Sequence, residues 1–238
     1  MSLKQKTVVI LGGSSGIGLA TAEAAVAAGA DVVITGRDLA RCEAARSSLG
    51  AGARAHVLNA ADEARTSAFF DEVGELDHLF ITAGTVVGDA KLTPDTSTLE
   101  PALNTRFWGA LFAAKYAAPR MRSGGSITFT SGTAGRRPLP GTAVSSASCA
   151  AVDSLARSLA IDLAPLRVNS IQPGFVDTPL FDALVGENRA AILADCARRL
   201  PVKRIGRPEE IADAVLFLMG NGYVTGINLV IDGGSMLV

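Results

Sequence analysis

Thr7-Val8-Val9-Ile10-Leu11-Gly12-Gly13-Ser14-Ser15-Gly16-Ile17-Gly18-Leu19 is the stretch that decides how the rest of the chain is read. Its first five residues are β-branched or apolar without polar alternation, the pattern of a strand buried on both faces. Four closely spaced glycines then break the run, and an Ala-rich segment of helical period follows to Ala28. Glycine lets the backbone turn sharply and lets an anion approach, while the first amides of the helix have no intrahelical acceptor and point at that anion. A glycine pattern alone specifies little. With a strand before it, a helix after it and a second strand ending near Gly36-Arg37, it predicts a dinucleotide site.

The same unit repeats outward from this point. Strands are expected at Thr7 to Leu11, Asp31 to Thr35, Arg54 to Leu58, His78 to Thr82, Ser126 to Thr130, Val168 to Ile171 and Leu229 to Ile231, with helices between them. Parallel neighbours need crossovers, and right-handed crossovers put helices on both faces. The expected fold is therefore α/β: a doubly wound, seven-stranded parallel sheet of Rossmann-like type. No Pro/Gly/Ser-rich linker interrupts it, so residues 1–238 read as one domain. The least strand-like insertion, Pro179 to Pro201, carries Leu180, Leu184, Ile192 and Leu193 at spacings that fit one helical face. It reads either as a lid over a ligand crevice or as a surface helix packed on the sheet.

Charge excludes several roles. The 238 residues carry 22 basic and 23 acidic side chains, a net charge of −1, which leaves no basic excess for phosphate neutralisation along a nucleic acid or an anionic membrane surface. No apolar run approaches the ~18 residues of a membrane span, and the N-terminus shows no secretory pattern. Cys42, Cys149 and Cys196 have no metal-ligand spacing, so no metal is expected, and the three thiols suit a reducing, cytoplasmic setting.

The chain resembles the single-domain short-chain dehydrogenase/reductase family, whose loop reads T-G-x-x-x-G-x-G. Gly12, Gly16 and Gly18 match it, and Leu11 stands in the Thr place. Ala83-Gly84, Asn104, the stretch from Asn169 to Thr178 and the ending from Arg204 to Gly234 are also similar to the family's motifs. The resemblance implies a nicotinamide dinucleotide held by Gly12, Ser14, Ser15, Gly16, Ile17, Gly18, Arg37, Asn59, Ala60, Ala83, Gly84, Pro173, Gly174, Val176 and Thr178. Pro173-Gly174 would bracket the nicotinamide, and Thr178 would meet its carboxamide. Ile81-Thr82 departs from the usual Asn pair, and Asn59 stands where an Asp usually meets the adenine. NAD-preferring relatives place an acid at the end of the second strand; here Gly36 is followed by Arg37. A guanidinium suits a ribose 2′-phosphate, so NADP(H) is favoured over NAD(H), the bland alternative being an Arg37–Asp38 surface pair.

In this family a Tyr and a Lys four residues later share a helix face, and a Ser precedes them at a strand end. The phenol passes the proton while the ammonium lowers its pKa. Alignment puts Gly132 in the Ser place, Ser145 in the Tyr place and Cys149 in the Lys place, with Asn104 retained. Tyr116 and Tyr223, the two tyrosines, fall in other motifs. Cys149 reads either as a substitute proton donor or as a small core thiol. His56 and His78 read as structural. Arg136 and Arg137 could receive an anionic substrate or stay in solvent, and the run from Arg198 to Arg207 reads as a solvated face.

Two functions compete. The first is an NADP(H)-dependent oxidoreductase of small carbonyl or alcohol compounds with non-standard proton transfer. The second is an NADP(H)-binding protein without turnover, either a cofactor sensor or a partner subunit of an active relative. A cofactor-free lyase would leave the glycine loop without use. The resemblance further implies a homodimer or homotetramer built on the helices from Asn104 to Met121 and Cys149 to Ala164.

Overall fold

The computed structural model describes residues 2–85, 95–180 and 189–238. Seven strands form a single parallel sheet in the order β3-β2-β1-β4-β5-β6-β7: β1 Thr7–Leu11, β2 Asp31–Gly36, β3 Ala53–Val57, β4 Leu76–Ile81, β5 Met121–Thr130, β6 Arg167–Pro173 and β7 Asn228–Ile231. All seven expected strands are present. The largest shift is in β5, which begins five residues early because Met121 pairs with Leu76 ahead of an irregularity that brings Ser126 opposite His78.

Strand side chains alternate between two cores, and this explains why the strands lack polar alternation. Val9, Leu11, Leu79, Ile81, Ile127 and Phe129 pack against α3 Glu63–Val73, α5 Gly109–Ala117 and α6 Ala143–Asp162. Val8, Ile10, Val32, Ile34 and Phe80 pack against α1 Gly16–Ala27, α2 Leu39–Leu49 and a helix near the C-terminus. That helix is α8, Pro208–Gly220, which also lies against α1. Two further helices are α4, Thr96–Leu103, and α7, Arg189–Arg199. Among the described residues no helix is long and apolar enough to cross a membrane.

The chain leaves β1 for β2 on one side of the sheet, while β4 lies on the other. This reversal opens a crevice at the carboxyl ends of β1 and β4, where ligands bind in open α/β sheets. At the opposite end Asp77 accepts from Lys6 Nζ, the Thr7 amide and Arg122 Nη1, each at 2.9 Å. These bonds tie β1, β4 and β5 together at the end remote from the crevice.

Candidate active site

The loop after β1 is pinned from both neighbouring strands. The Gly12 and Gly13 amides donate to the Thr35 carbonyl at 3.0 and 2.9 Å, and the Thr82 and Ala83 amides both donate to the Leu11 carbonyl at 2.9 Å. Backbone bonds thus fix the turn, and the buried Leu11 side chain belongs to the core. Gly12 has φ +92°, and a Cβ there would lie 2.8 Å from the Ala83 nitrogen. Gly16 has φ +52°, with Thr178 3.3 Å from where its Cβ would stand. Ser15 precedes α1 without a side-chain cap bond, and no acidic residue occupies the first turn. The loop is therefore a cradle that side chains would fill, below amides that favour an anion.

A cleft of about 680 Å³ extends from this loop. Eleven of the fifteen expected cofactor residues line it: Gly12, Ser14, Ser15, Gly16, Ile17, Arg37, Asn59, Ala60, Ala83, Gly84 and Thr178. Four do not. Gly18 packs beneath the loop, where a Cβ would fall 2.1 Å from the Gly12 carbonyl oxygen. Gly174 abuts Asp232, 2.8 Å from its missing Cβ; Pro173 accepts from Thr133 Oγ1 at 3.4 Å; and Val176 is buried in the core. Of the insertion from Pro179 to Pro201, Pro179 and Leu180 line the cleft, Ile192 and Leu193 are half-buried on α7, and Leu184 lies outside the described residues.

The rim at the end of β2 holds a residue the sequence reading missed. Arg41 joins Arg37 in lining the cleft. Asp38 does not ion-pair with Arg37 among the described residues; its carboxylate caps α2, accepting from the Arg41 amide at 2.8 Å. An Asp at the N-cap with an Arg three positions later was the available signal. Asn59 Oδ1 accepts from the Ala61 amide at 3.2 Å, so part of its capacity is spent locally.

The three positions aligned with the family's catalytic residues come together. Ser131 Oγ donates to the Cys149 carbonyl at 3.0 Å, holding the end of β5 against α6. A Cβ on Gly132 would stand 3.3 Å from Cys149 Sγ, and Ser145 lies one helical turn before Cys149. Both α6 residues are buried, at 4% and 5% exposure. Burial pushes the Cys149 thiol up; the nearby Arg106 charge works the other way, and Asp153 reinforces the rise. The sulfur is thus held as a neutral thiol. No tyrosine reaches this place: Tyr116 donates to Glu63 Oε1 at 2.9 Å, and Tyr223 is fully exposed. Arg137 donates to the Ser235 carbonyl, and Arg136 is exposed. Among the described residues no cluster of three or more His, Cys, Asp or Glu side chains forms a metal-binding group.

Asn104 is the clear correction, because its side chain faces solvent and lines no part of the cleft. Between α4 and α5 the chain makes a π-helical turn, Asn104–Trp108, in which the Gly109 amide donates to the Asn104 carbonyl. Two residues on a helix differ by roughly 200°, so the residue turned inward is Arg106, only 7% exposed. Its Nη1 donates to the Ser131 carbonyl at 3.4 Å, and its guanidinium covers Gly84. Thr105 lines the cleft, accepting from the Thr85 amide at 2.9 Å and donating to the Pro101 carbonyl at 2.6 Å. A proline inside α4 and a lone arginine in an otherwise apolar run were the signals for an irregular register.

A family model described as Enoyl-(Acyl carrier protein) reductase matches residues 12–236. The chain belongs to the short-chain dehydrogenase/reductase family. The short-chain dehydrogenase/reductase ucsE of Acremonium sp is 38% identical, over 99% of this chain and 97% of that one. A small-chain dehydrogenase solved in complex with NADPH is 33% identical with a TM-score of 0.86, covering 99% of this chain and 100% of that one. MalC, a reductase/Diels-Alderase from Malbranchea aurantiaca, is 28% identical with a TM-score of 0.92, covering 99% and 98%. As a short-chain dehydrogenase/reductase, the chain is an oxidoreductase by type, built on a fold that binds a nicotinamide cofactor.

Proposed function

We propose that this short-chain dehydrogenase/reductase is an NADP(H)-preferring oxidoreductase acting on small carbonyl or alcohol compounds without the family's phenol and ammonium. The observation that carries the reading is the pair Arg37 and Arg41 on the rim of a glycine-built cleft, with no carboxylate answering Arg37 among the described residues. The cradle at Gly12 and Gly16 fits a dinucleotide, since a side chain at either would occupy it. A bound nicotinamide supplies hydride chemistry there. Arg37 and Arg41 would pair with a 2′-phosphate, which offers the oxygens that guanidinium forks match. The solved NADPH complex of a relative gives the same preference a precedent.

At the reacting end, Gly132, Ser145 and Cys149 would leave proton transfer to water or to the neutral thiol. A positioned acid contributes about 10²- to 10⁴-fold, so simple ketone reduction is expected to be slow. MalC, described as both reductase and Diels-Alderase, supports the idea that this fold serves chemistry other than plain carbonyl reduction. The burial of Ser145 and Cys149 equally favours the second reading, a cofactor-binding protein without turnover. Fluorescence titration with NADPH, paired with its oxidation across a carbonyl panel, separates them. Binding with turnover supports the enzyme, binding alone supports the sensor or partner subunit, and failure to bind either dinucleotide defeats both.

A further inference from the structure

Arg106 is almost fully buried, yet among the described residues it has no carboxylate partner. A buried guanidinium without a counter-charge is expensive, because its N–H donors lose water and need acceptors in exchange. The described chain returns one long hydrogen bond, 3.4 Å from Nη1 to the Ser131 carbonyl. Among the described residues Nε is buried with no acceptor, and the hydroxyl of Thr85, beside Gly84, is likewise buried without a partner. Thr85 follows Gly84, against which the guanidinium lies, and its amide bonds the hydroxyl of Thr105, the residue before Arg106. The Arg106 guanidinium carbon lies 3.3 Å from where a Gly84 Cβ would be, and its positive charge acts on the Cys149 thiol. Gly84 in turn lines the cleft. The cation therefore sits between the cofactor cleft and the positions aligned with the catalytic residues.

We infer that Arg106 is the substrate-binding cation of this site and that its ligand is a delocalised oxyanion, a carboxylate or the enolate of a 1,3-dicarbonyl compound. Both spread one negative charge over two coplanar oxygens: a carboxylate can take paired N–H donors, and an enolate oxygen can take a charge-assisted bond from the same guanidinium. The π-helical turn points the side chain inward, and Thr105 fixes that turn by bonding both Thr85 and Pro101. The missing bulk at Gly84 leaves the guanidinium room. An anion here would satisfy Nε and neutralise a buried charge that the described residues leave open. An uncharged ketone would do neither, so anionic substrates should be selected over neutral ones of equal shape.

This rests on the reading of the cleft as a nicotinamide site, and the experiment keeps the two apart by measuring NADPH and anion binding separately. The full-length protein, alone and saturated with NADP⁺, is titrated calorimetrically with dimedone, a 1,3-diketone ionised at neutral pH, with benzoate and with neutral benzamide. The expected result is binding of one or both anions and at least tenfold weaker binding of benzamide. Benzoate alone assigns a carboxylate, and dimedone alone assigns an enolate. Arg106→Gln should weaken the bound anion at least tenfold while NADPH affinity stays within about twofold, and Arg106→Lys should recover part of the loss. If Arg106→Gln does not fold, Gly84→Ala, which crowds the guanidinium, should weaken the anion in its place. Equal binding of benzoate and benzamide, no anion binding by the parent in either form, or unchanged binding by a folded Arg106→Gln overturns the inference. Loss of NADPH binding with anion binding intact would overturn the proposed function instead.

Discussion

Arg37→Asp tests the cofactor assignment where the structure is most explicit. In the parent, Arg37 has no ion pair among the described residues, Asp38 is committed to capping α2, and Arg41 lines the same rim. A 2′-phosphate would gain a charge-assisted contact from each guanidinium. Such contacts contribute about 1.5–3 kcal/mol, and exposure puts these near the lower limit, roughly tenfold in affinity apiece. NADP(H) should therefore bind the parent about 10- to 100-fold more tightly than NAD(H). Arg37→Asp removes one contact and sets a carboxylate against the phosphate while offering an acceptor to a free ribose hydroxyl, so the order should reverse. Arg41→Ala should lose about tenfold for NADPH alone and leave NADH unchanged. Fluorescence titrations of both cofactors at two salt concentrations provide the measurement, because an exposed phosphate contact weakens with ionic strength. Equal affinities in the parent, or an Arg37→Asp variant that still prefers NADPH, would refute the argument.

Three further outcomes follow from the same geometry. Burial depresses His78, hydrogen-bonded to Ser126 Oγ at 2.9 Å, from 6.5 to about 4. The unfolded chain therefore binds a proton that the native state refuses between those values. Stability should be level above pH 6.5 and fall by roughly 3 kcal/mol toward pH 4, at ~1.4 kcal/mol per pH unit, and His78→Gln should flatten that slope in urea titrations. Trp108, 46% exposed, borders an apolar groove with Leu111, Phe112, Leu159 and Leu163, so light scattering should give a dimer or tetramer that Trp108→Glu dissociates; a parent that is monomeric at micromolar concentration removes that assembly. Gly132→Ser, Ser145→Tyr and Cys149→Lys combined with Arg106→Asn should reduce a generic diketone at least ~100-fold faster than the parent, and a folded, NADPH-binding variant with no gain would show the alignment to be wrong.

The fold was legible because the strands announce themselves. Val8 to Leu11 and Val32 to Ile34 are apolar on both faces, and the two cores on opposite sides of the sheet explain why. Gly12 and Gly16 were legible for a related reason, since positive φ and close backbone approach leave little choice of residue. The site's polar members were harder. Gly18 and Gly174 belong to the same motifs as true lining residues, but their missing side chains admit neighbouring backbone rather than a ligand. Arg41 was hidden because its position depends on a cap formed by Asp38. Asn104 failed for a different reason: alignment counts residues, whereas a side chain's direction depends on accumulated turn, and one π-helical turn after Pro101 changes the phase.

The phase change also links two departures that look separate in the sequence. A lysine in place of Cys149 would stand beside the buried guanidinium of Arg106, and the field that favours ionisation of the Cys149 thiol would oppose an ammonium there. Two buried cations with only the Asp153 carboxylate near the second cost more than either alone, so Arg106 and a lysine in the Cys149 place are alternatives for one positive charge. On the function proposed here, the charge has moved from α6 to the π-helical turn. It has also changed from a point charge, able to lower the pKa of a phenol, into a fork suited to holding an oxyanion. Ser145 loses its reason to be a tyrosine once no ammonium supports it, and Gly132 loses its reason to be a serine once no phenol needs positioning. The restoring variant needs Arg106→Asn for this reason: the triple change alone would set the new ammonium against Arg106, and its failure would then report repulsion rather than a mistaken alignment.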